Sequence, residues 1–204
     1  MTPAIEKKGR DASRIPAVAS FYLAASIVGF FWHGAAQETN DIWRLDPTQQ
    51  WPTLLWTPLV GVAFGLATVQ AFRLLETRMA WLPELHREFQ GIFGGATTGE
   101  LFFLAFASSV GEELLFRGAM MDAWGLVPSS LIFALLHVPP RWSLWPWTVS
   151  SLVLGLALGG LTLLTGNLGA AVAAHFTINL INMLYITRKA PGMTLRGPVR
   201  PAGV

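Results

Sequence analysis

The chain of 204 residues contains no cysteine, which excludes a disulfide framework, a thiol nucleophile and a thiolate metal site. Charged residues are scarce, at 13% of the chain, against about 25% in an ordinary soluble domain. The net charge of +2 is too small to favour nucleic acid as a partner. Apolar residues dominate instead, at 52% with nine tryptophans and a mean hydropathy of +0.47. This composition is typical of a polytopic membrane protein.

The apolar residues occur in long unbroken runs, so the sequence predicts an all-α polytopic membrane bundle rather than a β-barrel. About six transmembrane helices are expected, together with one amphipathic interfacial helix over residues 73–95, interrupted near Pro83. A turn is predicted at 125–130, and the fourth span is short, with a kinked continuation through 142–145. The predicted spans cover residues 17–36, 51–72, 98–122, 131–137, 145–164 and 168–186.

The whole chain, 1–204, is predicted to be a single membrane domain with a core at 97–188. Residues 1–15 form a basic tail, and residues 189–204 form a flexible tail without a folding pattern. A cleaved signal peptide is the alternative at the N-terminus, but the apolar run of about 20 residues is long enough to span a membrane. The basic residues fall on one side of the predicted spans, with only Arg44 on the other, which predicts six spans with both termini cytoplasmic.

Two adjacent carboxylates and an arginine lie within the third predicted span. Charges at membrane depth are costly and usually mark function. On a helix, Glu113 and Arg117 are four residues apart on one face, in the favourable order for an ion pair. Glu112 points about 100° away around the helix and is left unpaired. A buried structural triad that only fixes helix packing is the alternative interpretation.

Two histidines lie in other apolar segments. Phe133 and His137 share one face of the fourth segment, and His175 and Asn179 share one face of the sixth. A single polar cavity explains these groups most economically. In contrast, His33 is expected at the membrane interface, and His86 on the solvated face of the amphipathic helix.

These residue types favour direct activation of water. Glu112 with His137 can remove a proton from water, and His175 with Asn179 can donate hydrogen bonds to an oxyanion. Alternatively, Glu112, His137 and His175 form a sound zinc ligand set, with metal-bound water as the nucleophile. The spacing leaves both mechanisms open.

The ordered motifs Glu112-Glu113-x-x-x-Arg117, Phe133-x-x-x-His137 and His175-x-x-x-Asn179 resemble those of the CPBP family of intramembrane proteases. That family includes the type II CAAX prenyl endopeptidases and bacterial proteins linked to bacteriocin maturation or immunity. The resemblance covers about residues 97–188.

The resemblance implies a glutamate-type endopeptidase in which Glu112 and His137 activate water and His175 and Asn179 stabilise the oxyanion. Glu113 and Arg117 would be the supporting pair, with Phe133 beside His137. It favours no cofactor, with zinc as the variant mechanism. The implied partners are the lipid bilayer and a membrane-associated protein carrying a C-terminal anchor or sorting signal, a prenyl group or a leader peptide. The implied location is a bacterial plasma membrane.

A non-catalytic membrane immunity or scaffold protein is the alternative function. Its support is the small-residue faces formed by Gly61 with Gly65, and by Gly155, Gly159 and Gly160, which allow helices to approach closely. A small transporter that uses the carboxylates as proton carriers is a further hypothesis.

Overall fold

The computed structural model describes residues 15–36, 41–139 and 141–188. The predicted tails, 1–15 and 189–204, lie outside the described residues except for Ile15, which begins the first helix. The described residues fold into helices joined by short turns. The helices are α1 (Ile15–Ala36), α2 (Trp51–Leu75), α3 (Leu82–Phe93), α4 (Thr98–Glu113), α5 (Met121–Trp124), α6 (Leu126–Leu135), α7 (Trp145–Thr165) and α8 (Gly169–Arg188).

The predicted all-α membrane bundle is confirmed. Within the described ranges, four helices are long and apolar enough to cross a membrane, namely Pro16–Ala36, Trp51–Arg78, Trp142–Thr165 and Gly169–Arg188. The third predicted span is a helical path in three pieces, because a π-helical segment, Leu114–Met120, joins α4 to α5. A π-helical segment within an α-helix often marks a functional site. The fourth predicted span is the ten-residue helix α6.

The predicted turn at 125–130 is wrong beyond its first residue. Gly125 makes the turn alone, with φ of +87°, a conformation that glycine adopts without steric cost. Helix α6 begins at the next residue and contains Pro128, which is tolerated there because the first helical turn has no backbone partner for its N–H groups. The helix ends at Leu135, so His137 lies in the turn that follows it.

Helix α8 packs closely against α2 through glycines. A Cβ atom on Gly61 would lie 2.1 Å from the carbonyl oxygen of Ala170, and one on Gly65 would lie 2.8 Å from that of Ala174. On α7, Gly155 lies against Phe133, whereas a Cβ on Gly160 would meet nothing within 4 Å. The predicted small-residue face of α2 is therefore a helix contact, and that of α7 is a contact only in part.

The two ends of the bundle are held by different sets of polar contacts. At one end, which we call the Asn167 end, the loop at 41–50 bonds to the α7–α8 turn through Leu45 N to Gly166 O (2.9 Å) and Asn167 Nδ2 to Gln49 Oε1 (2.9 Å). At the opposite end, the α3 end, Arg141 contacts Glu84 and Glu88 of α3. The α3 helix packs Leu82 and Leu85 against Leu144.

Candidate active site

The adjacent carboxylates at the end of α4 are both buried but have different neighbours. Glu113 is fully buried, and its Oε1 accepts a hydrogen bond from Nη1 of Arg117 at 2.9 Å. Arg117 also donates from Nη2 to the carbonyl oxygen of Gly155 at 3.1 Å. Its guanidinium lies 4.5 Å from the ring centroid of Phe133. The predicted pair of Glu113 and Arg117 thus forms, and both partners are removed from water.

His175 of α8 lies between the two glutamates. Its Nδ1 is 2.7 Å from Oε1 of Glu113, and its Nε2 is 3.7 Å from Oε2 of Glu112. The imidazole is buried, with only 4% of the residue exposed. One histidine therefore links the supporting carboxylate to the unpaired one.

His137 also faces Glu112, from the turn that follows α6. Its Nδ1 is 2.7 Å from the carbonyl oxygen of Phe133, and its Nε2 is 3.9 Å from Oε2 of Glu112. The ring centroids of Phe133 and His137 are 4.4 Å apart, so the Phe133 ring packs against both the imidazole and the Arg117 guanidinium.

The hydrogen bonds assign the histidine tautomers. A carbonyl oxygen only accepts, so Nδ1 of His137 carries a hydrogen, and its Nε2 presents a lone pair when the ring is neutral. The carboxylate of Glu113 likewise assigns a hydrogen to Nδ1 of His175. Both Nε2 atoms therefore face Oε2 of Glu112, which is buried and has no hydrogen-bond partner among the described residues. The distances exceed those of direct hydrogen bonds and suit a bridging water.

Asn179 lies one helical turn after His175 and is held by a serine of α4. Its Nδ2 donates to Oγ of Ser108 at 3.0 Å, and this hydroxyl donates to the carbonyl oxygen of Ala105 at 3.2 Å. Asn179, Ser108 and Glu112 line the same cavity. The structure therefore brings together all the residues for which the sequence predicts a catalytic role.

A cavity of about 430 Å³ extends from Glu112 towards the α3 end and is lined mainly by apolar side chains. Several polar residues on its walls have no place in the motifs, among them Tyr22, Arg73 and His86. His86 is not on a solvated face as predicted, because its Nδ1 lies 3.8 Å from Oε1 of Glu76 and its side chain is only 14% exposed. His33 is also buried, with its Nδ1 3.2 Å from the carbonyl oxygen of Gly118, and lies away from the cavity lining.

A zinc site was the alternative use of Glu112, His137 and His175. Across the described ranges, no group of three or more His, Asp or Glu side chains has an arrangement that could hold a metal ion. The arrangement places the two imidazoles around one carboxylate oxygen at 3.7 and 3.9 Å.

Comparison with known proteins supports the resemblance seen in the motifs. Residues 94–181 match the family described as type II CAAX prenyl endopeptidase Rce1-like. Over this range, which is less than half of the chain, the sequence is similar to the Rce1-like proteins. The matched range contains every residue predicted for the site, and at the level of the family it supports a membrane endopeptidase.

A curated relative covers more of the chain. The uncharacterized protein YpbD of Bacillus subtilis is 28% identical over 162 residues, which are 78% of this chain and 80% of the relative. No solved structure matches the chain.

Proposed function

We propose that this protein is an intramembrane endopeptidase that hydrolyses a peptide bond of a membrane-associated protein with water activated by Glu112 and His137. The observation that carries the proposal is the position of Oε2 of Glu112, within 4 Å of Nε2 of both His137 and His175. Burying a carboxylate oxygen without a hydrogen-bond partner costs free energy. Such a group within a membrane protein usually marks a functional site. The Rce1-like match supports the same reaction class.

In the proposed reaction, one water lies between Glu112 and His137. Its oxygen attacks the scissile carbonyl carbon while Glu112, assisted by the lone pair at Nε2 of His137, accepts a proton. When the C–N bond breaks, this proton passes to the departing nitrogen, which leaves as an amine. Hydrolysis thus consumes one water and regenerates Glu112, and no covalent bond forms between the enzyme and the substrate.

Stabilisation of the oxyanion is assigned to His175 and Asn179. His175 already carries a hydrogen on Nδ1, so it donates from Nε2 only when the ring holds both hydrogens. The carboxylate of Glu113, at 2.7 Å from Nδ1, stabilises such a cation. Ser108 holds the Asn179 amide on the same side of the cavity, so that a short movement would direct an N–H group at the oxyanion.

The cavity suits an extended apolar segment that enters from the α3 end. The described arginines of the loops and helix ends lie at that end, except Arg44 at the Asn167 end. By the positive-inside rule, we assign the α3 end to the cytoplasmic side. The substrate would then be a protein segment presented at the cytoplasmic surface, prenylated or unmodified.

The function is tested in the source cell by deleting the gene and restoring either the wild type or Glu112→Gln. We expect at least one membrane-associated protein to accumulate uncut in the deletion strain, with cleavage restored by the wild type alone. Mass spectrometry of protein termini identifies the cut. Equal restoration by Glu112→Gln would favour a non-catalytic immunity or scaffold role.

A further inference from the structure

Tyr22 of α1 lies outside the Rce1-like region at 94–181, yet its side chain lines the cavity beside Glu112. The phenol and the Glu112 carboxylate line the same cavity and are close enough to interact electrostatically. The flanking residues Phe21 and Leu23 are both 63% exposed, on the outer surface of α1. Tyr22 is therefore directed inwards, towards the unpaired carboxylate.

The backbone of α1 is held against α4 at this level. A Cβ atom on Gly111, the residue before Glu112, would lie 2.6 Å from the carbonyl oxygen of Tyr22 and 3.2 Å from its Cβ. The hydroxyl of Ser26 donates to the same carbonyl oxygen at 2.9 Å. The absence of a side chain at Gly111 therefore allows the close approach that brings the phenol to Glu112.

The neighbours of Glu112 differ in what they offer its carboxylate. His137, after α6, and His175, of α8, face Oε2 from beyond hydrogen-bonding distance, and Glu113 on the same helix is paired with Arg117 and His175. The phenol of Tyr22, on α1, is a neutral O–H donor that lines the cavity beside Glu112. A carboxylate on a rotatable side chain needs such a contact to keep one oxygen directed at two imidazoles.

We propose that Tyr22 is a positioning residue for Glu112: its hydroxyl donates a hydrogen bond to the carboxylate and keeps Oε2 directed at Nε2 of His137 and His175. The role rests on the proposed function of Glu112 as the group that activates water. It assigns to α1 a part in the site that the matched family region does not include. Tyr22 acts through Glu112 and takes no proton itself.

Infrared difference spectroscopy of the protein in liposomes tests the contact without a substrate. The spectrum of the wild type minus that of Glu112→Gln isolates the carboxyl bands of Glu112. These bands should move when the subtraction is repeated in a Tyr22→Phe background, because the hydroxyl is lost while the ring is retained. In a Phe21→Leu background they should stay in place. Bands that are unchanged by Tyr22→Phe would overturn the proposal.

Kinetics test the consequence of the contact, once a cleaved peptide has been identified. Loss of a hydrogen bond to a charged group predicts that Tyr22→Phe lowers kcat about tenfold, with little change in KM or Tm. A structural role alone would lower Tm together with kcat, and wild-type kcat would show that the hydroxyl has no role; either result overturns the proposal. If Glu112→Gln itself keeps full activity, the proposed function fails, whereas the infrared result still tests the contact.

Discussion

Glu113 and His175 form a buried hydrogen bond of 2.7 Å between α4 and α8. The same oxygen of Glu113 also accepts a hydrogen bond from Arg117. One carboxylate oxygen therefore contacts both the Arg117 guanidinium and the His175 imidazole. Arg117 is in turn anchored to Gly155 of α7. The position of the His175 ring therefore depends on a buried ionic network that joins α4, the π-helical segment after it, α7 and α8.

Replacement of Glu113 by alanine should destabilise the fold as well as inactivate the protein. The change leaves Arg117 buried without its counter-charge, and breaking a buried pair in this way typically costs about 3–5 kcal/mol. Thermal unfolding in detergent should show a clearly lower Tm than for the wild type. Arg117→Met/Glu113→Leu, which removes both charges, should recover much of the stability but none of the activity. A wild-type Tm for Glu113→Ala would mean that the ionic network does not stabilise the bundle.

The close approach of α2 to α8 predicts that Gly61→Ala disrupts the bundle. The added Cβ atom would lie 2.1 Å from a backbone oxygen of α8, so the helices must separate, and overpacking of this kind costs about 1–3 kcal/mol. Gly160→Ala is the matched control, because a Cβ there meets nothing within 4 Å. Tm in detergent should fall for Gly61→Ala and be retained for Gly160→Ala. Equal values for both would contradict the packing described for α2 and α8.

Because the chain contains no cysteine, a single introduced cysteine can report which side of the membrane its position faces. Gln50→Cys places a thiol in the loop at the Asn167 end, and Gly95→Cys places one at the α3 end. In intact cells, a membrane-impermeant maleimide should label the first variant and not the second, until the cells are permeabilised. The opposite pattern would reverse the assigned orientation and direct the cavity towards exported substrates.

The metal question is answered by elemental analysis of protein purified without chelator. We expect much less than one zinc per chain and activity that withstands prolonged treatment with a chelator, because Glu112 and His137 activate water directly in the proposed reaction. A mock-treated sample measures losses during handling. One tightly bound zinc per chain, with activity lost on chelation and restored by zinc, would replace the proposed mechanism with a metal-dependent one.

The sequence predicts the parts of the site that lie within single helices. The pairing of Glu113 with Arg117, and the separation of Glu112 from that pair, follow from the angular spacing of residues on a helix. Contacts between helices depend on how each helix is rotated and how deep it lies in the bundle. The spacing of residues within one helix determines neither quantity. The bond from His175 to Glu113 and the approach of Tyr22 were therefore not predicted. For Tyr22, the only local signal was a tyrosine in an apolar span, which by itself does not indicate a site.

The helix boundaries show a second limit. Pro128 and Gly125 were interpreted together as one turn, although a proline in the first turn of a helix is compatible with it. His86 was misplaced for a related reason: a polar residue on an amphipathic helix lies at the surface or in a cavity according to what packs over it. His86 is covered by Tyr185 of α8, which is distant in sequence, and by Glu76, which lies beyond the turn before α3.

The most direct test of the account compares the hydrolytic activity of Glu112→Gln with that of Glu100→Gln. Both changes replace a carboxylate of α4 by its amide, but Glu100 serves the capping box at Thr97, where glutamine is also suitable. With the protein in liposomes and the substrate identified in the deletion strain, we expect Glu112→Gln to lower kcat by about 10²–10⁴-fold and Glu100→Gln to stay near the wild type. Equal rates for the two variants would contradict the proposal that Glu112 activates the attacking water.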